Sequence, residues 1–525
     1  MKTLFINAKV WTGKNSFTES IGFDSDTGKI IFTGTKDHAN NLSKEYDEVI
    51  DHKKKLVLPA FTDGHIHFIE GSFENSKLDL RSARTINDFN NAIREYLNKN
   101  GTNWISGGFF SEANFLEEIN PDKNFLDDIC RDVPVIISRF DSHSAFANSK
   151  ALEISGILTT AESFTSDEII RDSDGNFTGE LKERARDFVM DKIPAASLNE
   201  RTSVVTKQMR KLHSQGITSI SDITQVDDLE VYKELIRQNR LYLRVDARLP
   251  FREFYNIKKY REEFSKLTGN IKFQSLKAFY DGSLSSRTAL MHSNYKNADH
   301  NGIKTEFVNS GEFEKMAFEI DKAGLQISVH AIGDKAVTEL LDLNENLIRK
   351  NGIRDRRFRI EHAQHIIESD FRRFKDLDVI ASVQPSHLFS DAKTASEILE
   401  DYSSEHNYKK LFDFGAKVCF GTDFPIVGES PFETIYYAMT RKGQGYKNGF
   451  ITENSISLND CLEAYTINNA YATYEETERG SLEAGKAADM IVMENDLFEM
   501  TGDEIKNAKV CETYFEGKKV YNNLQ

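Results

Sequence analysis

The chain has 525 residues and a formal net charge of −16, which argues against nucleic acid or an anionic membrane surface as its main partner. Hydrophobic residues make up 39% and charged residues 29%, a globular balance with enough chain for one large domain and a smaller one. Cys130, Cys419, Cys461 and Cys511 form no C-x-x-C pair, so no disulfide framework is expected and a reducing, cytoplasmic setting is.

The first residues, Met1 to Asn7, lack the apolar run of a signal peptide, and no stretch is apolar enough to span a bilayer. Residues 3–57 read as short strands, with Thr12-Gly13-Lys14-Asn15 as a turn and Asp26-Thr27-Gly28 as a hairpin signal. This small β unit is too polar to stand alone. Its partner stands at the other end, where Asp489–Met493 and Val510–Phe515 read as strands and Glu516-Gly517-Lys518-Lys519 as a turn. Residues 1–57 and 486–525 are therefore expected to build one composite β-sandwich domain.

Leu56–Asp63 reads as a buried strand that runs into His65 and His67. Side chains two apart share a strand face, so the two imidazoles are placed as a chelate for a divalent metal. Asp63 shares that face and is expected to orient a ligand. Residues 68–210 are mixed: a helix over Ile86 to Asn98, strands at Trp104–Gly108 and Val133–Ile137, a polar cluster over Phe140 to Leu152 with His143 and Asn148, and a helix from near Leu181 carrying Glu183 and Arg186.

From Leu212 the rhythm becomes regular. Strands are predicted at Ile217–Ile223, Leu243–Leu249, Phe273–Phe279, Leu325–His330, Phe358–His362, Val379–Gln384 and Lys417–Thr422. The clearest helices between or after them are Lys315–Ala323, Lys335–Arg349, Asp370–Leu377 and Leu458–Ala472. With Leu56–Asp63 as the first strand, this alternation predicts a TIM-like (β/α)8 barrel over residues 58–485, with an insertion at 68–210.

Chemistry in such barrels sits where the strands end at their C-terminal face. Those ends carry His65 and His67, Lys277, His330, His362 and Asp423. A buried lysine is costly unless paired or neutralised. Two readings stay open for Lys277: an ion pair with Asp281 or Glu361, or carboxylation by carbon dioxide into an anionic bridge between two metals.

The order His-x-His, Lys, His, His, Asp resembles the amidohydrolase superfamily, and more narrowly its YtcJ-like group, which includes N-substituted formamide deformylase. The resemblance rests on Leu58 to His67, Lys277 to Ala289, His330 to Asp334, Arg359 to Gln364, Val383 to His387, Gly421 to Pro425 and Gly480 to Asp489. It implies two divalent metals, zinc by expectation. His65, His67 and Asp423 would hold one and His330 and His362 the other, with carboxylated Lys277 bridging. It implies hydrolysis of a non-peptide carbon–nitrogen bond, an amide or N-acyl or N-formyl amine, by a metal-activated hydroxide, with Asp423 moving the proton. His143, Glu183, Arg287 and His387 are the expected substrate-binding residues. The chain departs from the group at Trp104-Ile105-Ser106-Gly107-Gly108-Phe109-Phe110, where a Trp-x-x-Gly-x-Gly-Trp-Asp-like stretch is usual.

Other chemistries share such a site. A deaminase of the superfamily would carry His-x-x-Glu after the fifth strand, where this chain reads His330-Ala331-Ile332-Gly333. A lactonase, a phosphoester hydrolase and a metal-free scaffold remain as alternatives. The expected partner is a small-molecule substrate, with no nucleic acid and no membrane; the oligomeric state stays open, a homodimer included.

Overall fold

The apolar run before the His-x-His pair folds as two strands rather than one. In the computed structural model, which describes residues 1–13, 16–101, 104–117, 119, 121–139, 143–267 and 270–523, Leu56–Pro59 belongs to a six-stranded sheet built from both termini. There it lies between Lys9–Gly13 and Met490–Met493. Pro59 has no N–H for a ladder, and the Ala60 N–H donates to Asp489 O at 3.0 Å. The chain leaves the sheet at that point and re-forms as Phe61–Ile66, the first barrel strand, β1. A single strand over Leu56–Asp63 is thereby corrected, and Leu58 and Pro59 belong to the terminal sheet, beyond the expected limit at residue 57.

A second sheet, of four strands, packs against the terminal one. Phe5, Ile21, Phe23, Val57, Met490, Val492 and Tyr514 form their shared core. Phe5 meets Phe23 edge-on at 5.1 Å and Tyr514 at 5.5 Å. The N-terminal segment is not all β, because Lys36–Leu42 is a helix whose N-cap Thr35 accepts from the His38 N–H. Lys14 and Asn15 of the predicted turn, and Phe140 of the polar cluster, lie outside the described residues.

Among the described residues the barrel has eight parallel strands: β1, β2 (Ile217–Ile223), β3 (Arg244–Pro250), β4 (Ser275–Phe279), β5 (Gln326–Ala331), β6 (Arg359–His362), β7 (Ile380–Val383) and β8 (Lys417–Phe420). Amphipathic helices such as Asp334–Asn351 bury one apolar stripe, Val337, Leu340, Leu341 and Leu347, behind them. The helix predicted over Leu458–Ala472 breaks at Thr466 (φ −119°, ψ −92°) into Leu458–Tyr465 and Ile467–Ala472. No helix among the described residues is long and apolar enough to cross a membrane.

Side chains close the seam between β8 and β1. Asp63 accepts from the Thr422 N–H at 3.0 Å and the Thr422 hydroxyl at 2.5 Å. Asn469 Nδ2 donates to Thr62 O at 2.7 Å and Phe420 O at 2.9 Å. The strands approach so closely that a Cβ on Gly64 would stand 2.4 Å from Asn469 Oδ1, and one on Gly421 2.4 Å from the His65 nitrogen. Glycine at both places is a condition of closure. Asp63 therefore locks the seam instead of orienting an imidazole.

Residues Glu70–Val204 form a second compact unit. Its sheet runs, in spatial order, Ile169–Arg171, Phe177–Lys182, Ser144–Ala147, Val135–Arg139, Ile105–Phe110, Leu78–Asp79. Leu80, Phe89, Ile93 and Phe110 centre one of its cores. The helix Ile86–Asn100 starts in a Thr85–Asp88 capping box and stops at Gly101, in the left-handed region at φ +52°. The helix expected near Leu181 begins at Glu183, after a strand that ends at Lys182.

Candidate metal centre

β1 delivers His65 from its buried end, and the seam brings Asp423 to it. The Asp423 N–H donates to His65 O at 2.7 Å and the His67 N–H to Phe424 O at 2.9 Å, so the chain after β8 is stitched to the chain leaving β1. Asp423 Oδ1 then stands 3.4 Å from His65 Nε2 and 3.3 Å from His67 Nε2. His362 completes a buried group with His65 and Asp423 whose ligand atoms all lie within 4.8 Å of one another.

Backbone conformation aims two of these side chains. Strict alternation along β6 would turn His362 away from the face that carries Glu361. His362 sits at φ +72°, and Asp423 at φ +61°, left-handed conformations that cost energy for a non-glycine residue. Strain of this kind at two adjoining chemical residues marks a site whose aim matters more than local comfort.

The imidazoles are held from behind. Glu361 Oε2 lies 2.7 Å from His65 Nδ1. A carboxylate only accepts, so Nδ1 carries the proton and Nε2 presents a lone pair towards Asp423. His330 Nε2 likewise donates to Gly282 O at 3.1 Å, which leaves its Nδ1 lone pair free of that bond. The His330 ring packs edge-on to His362 at 4.4 Å, and His362 stacks against His387 at 6.1 Å.

A charged floor lies beneath this layer. Glu361 Oε1 accepts from Arg248 at 2.9 Å, Arg359 at 3.1 Å and the Ser328 hydroxyl at 2.5 Å. Burial pushes the Glu361 carboxyl up, but the Arg359 and Arg248 guanidiniums outweigh it and hold it well below the usual range. Asp423 is also held well below its range: burial opposes ionisation, and His65 and His67 more than offset it. Burial drives the His330 imidazole down to about 3, with Lys277 adding to the effect, so it is neutral.

Lys277 points inward from β4 and is buried. Its Nζ lies 3.8 Å from the centre of the Phe279 ring and donates to Ala278 O at 3.3 Å. The ion-pair reading fails on geometry, because both possible partners are engaged elsewhere. Asp281 accepts the N–H groups of Leu290, Ile332 and Gly333 at 2.9, 3.1 and 2.9 Å. Glu361 holds His65 and the two arginines. Burial lowers the Lys277 amine to about 8, with Glu361 and Asp423 pulling the other way.

The expected substrate residues divide. His387 is at the site, with Nε2 3.7 Å from Asp423 Oδ2. His143 and Glu183 are exposed in the second unit and lie 3.2 Å apart, nitrogen to oxygen. Arg287, at φ +56° in the segment after β4, donates to Lys296 O at 3.4 Å.

Sequence reasoning missed the floor. Arg359 and Glu361, two apart on β6, share one strand face, and a charged period-two pair inside an apolar strand was the available signal. It also missed a buried group behind His387, made of Asp391, Glu405 and His406. There Gln364 Nε2 donates to Asp391 at 3.1 Å and Glu405 at 3.0 Å, and His365 Nε2 lies 2.8 Å from Glu405, so the charges are matched internally.

The residues present fit a divalent cation. His65 Nε2 and an ionised Asp423 oxygen, both lone-pair bearers, face each other, while His362 Nδ1 and His387 Nε2 are buried without a hydrogen-bond partner. Nitrogen and carboxylate donors of this kind suit zinc and its neighbours.

Known proteins share this architecture. The Amidohydrolase family profile matches residues 48–521. Protein LONG AFTER FAR-RED 3 of Arabidopsis thaliana is 28% identical over 534 residues, covering 99% of this chain and 91% of that protein. N-substituted formamide deformylase of Arthrobacter pascens is 25% identical over 557 residues, covering 98% and 97%. An uncharacterized metal-dependent hydrolase from Pyrococcus horikoshii superposes with a TM-score of 0.76 at 25% identity, over 96% of this chain and 99% of that one. The chain belongs to the amidohydrolase family and is a metal-dependent hydrolase.

Proposed function

We propose that the protein hydrolyses an amide, an N-acyl or N-formyl amine, at a centre of two divalent cations, zinc by donor chemistry. The observation that carries this reading is the pair His65 Nε2 and Asp423 Oδ1, 3.4 Å apart with their lone pairs opposed and His67 Nε2 3.3 Å from the same oxygen. His65, His67, His330, His362 and Asp423 would hold the ions, and Lys277, as its carbamate, would lie between them. When bound, such ions polarise a carbonyl and lower the pKa of water from about 15.7 towards 7.

The chain supplies the rest. Asp423, ionised, takes the proton of the attacking water at a carboxylate oxygen and returns it to the leaving nitrogen. His387, 3.7 Å from Asp423 Oδ2, lies on the side where that carboxylate moves its proton. Glu361 fixes the His65 ring. Lys277, lowered to about 8 by burial, has a share of free amine to add to carbon dioxide; an N–C bond forms and one ammonium-type proton leaves to water. The name of the Arthrobacter pascens relative, N-substituted formamide deformylase, supports an amide as the substrate.

The test is a hydrolysis screen of metal-loaded protein with N-acyl and N-formyl amines, beside lactones and phosphotriesters. Turnover of amides that stops on chelation is the expected result. Turnover of lactones or phosphotriesters alone would overturn the assignment.

A further inference from the structure

The ends of β2, β3 and β4 leave a cavity of about 300 Å³ at the mouth of the barrel. Ile223, Pro250, Phe251, Phe279 and Phe307 line it, with Lys277 at its inner edge. The size matches the lower range of small-molecule sites, and the wall is mostly apolar.

The aromatic wall is braced. Phe251 stacks on Phe313 at 5.5 Å with an interplanar angle of 14°, and Phe307 stands edge-on to both, at 6.2 and 5.9 Å. Phe279 is 45% exposed although it ends a barrel strand. Its ring faces Lys277 Nζ at 3.8 Å and the His330 ring at 5.4 Å. A large apolar side chain left in water beside a catalytic centre offers surface that a ligand can cover. The polar groups around it are few or occupied. The Thr305 hydroxyl donates to Phe279 O at 2.9 Å, and the Arg252 guanidinium, exposed at the rim, lies 5.7 Å from the Phe307 ring.

We infer that this cavity receives an aromatic or branched apolar substituent of the substrate, laid against Phe279 and Phe307 while the scissile carbonyl faces the histidine cluster. The inference rests on the amide-hydrolase reading and adds the kind of amide: one whose ring stands one or two bonds from the scissile group. Burying a ring against aromatic walls is worth about 100-fold in affinity or more.

Two readouts separate the inference from the reading beneath it. The first compares kcat/KM of the metal-loaded protein on matched pairs: N-benzylformamide with N-methylformamide, and phenylacetamide with acetamide. The expected result is a preference of about 100-fold for the ring-bearing member of at least one pair. Phe307→Ala should cut that ratio about tenfold. The second readout needs no turnover: benzyl alcohol binding followed by ligand-observed NMR, in wild type and in Phe307→Ala and Phe307→Leu. Binding weakened several-fold by Ala and less by Leu is expected. Binding that depends on Phe307, with no amide hydrolysed, upholds the cavity and overturns the amidase reading. Amides hydrolysed without preference, and benzyl alcohol unaffected by either variant, overturn the cavity and leave the amidase reading standing. Neither binding nor hydrolysis overturns both.

Discussion

Glu361 grips His65 from behind at 2.7 Å, and through that one contact the floor of the barrel sets the aim of its first histidine. Glu361→Gln keeps the shape and removes the charge. We expect metal affinity to fall by about 10–100-fold. Metal-to-protein ratio after dialysis against a graded chelator is the measurement. An unchanged ratio would mean that the His65 ring is positioned by packing alone.

Lys277 gives a sharper case, because charge and volume can be separated. Lys277→Ala should lower kcat by about 100-fold or more together with metal content. Lys277→Arg should do no better, since a guanidinium stays positive and offers no free amine to carbon dioxide. A short carboxylic acid with bicarbonate should restore part of the Ala variant's activity and none of the Arg variant's. Native mass measurement should show one added carbon dioxide on the wild-type chain; an unmodified amine in active protein would remove the bridge.

Gly64→Ala tests the seam. The new methyl would meet Asn469 Oδ1 at 2.4 Å and Phe420 O at 2.7 Å, and one of these is backbone that cannot rotate away. A loss of about 3 kcal/mol is expected. Thermal unfolding should show it together with weaker metal binding, because the same strand carries His65. Stability lost with metal affinity intact would show that the seam relaxes without moving the ligand.

Acid should act on the fold at His213. Burial lowers its imidazole to about 4 from an ordinary 6.5, although Nε2 donates to Tyr242 O at 2.8 Å. The folded pKa is depressed, so the contribution is complete above about 6.5 and is lost as pH falls through about 4, where the unfolded chain binds a proton that the folded chain refuses. The loss is on the order of 3 kcal/mol. His213→Gln keeps a donor for Tyr242 and should flatten that part of the stability curve in denaturant titrations from pH 7 to 4. A variant with the wild-type slope would place the acid sensitivity elsewhere.

The barrel was readable because its strands are apolar runs that end in polar residues at a regular spacing. Ile217–Ile223 is found with its predicted limits, and the other barrel strands differ by a few residues at their ends. What pattern could not show is where backbone leaves the regular regions. The left-handed turn at His362 reverses the alternation that would have sent it the other way. The break at Ala60 is equally silent, since Leu56–Pro59 and Phe61–Ile66 are alike in composition and differ only in which partners take their hydrogen bonds. Glu361, Arg248 and Arg359 were missed for a different reason: a sequence pattern does not say which charges neutralise one another inside a core.

That break has a consequence for how this chain can change over generations. His65 hangs from a strand that is separated by Ala60 alone from a rung of the terminal sheet, and that rung is paired to Met490–Met493 near the far end of the chain. Recombination that exchanges the last strands for those of a cousin therefore also exchanges the anchor of the first ligand. The ends of the gene are tied to its chemical centre, and the hydrolase is inherited as one piece.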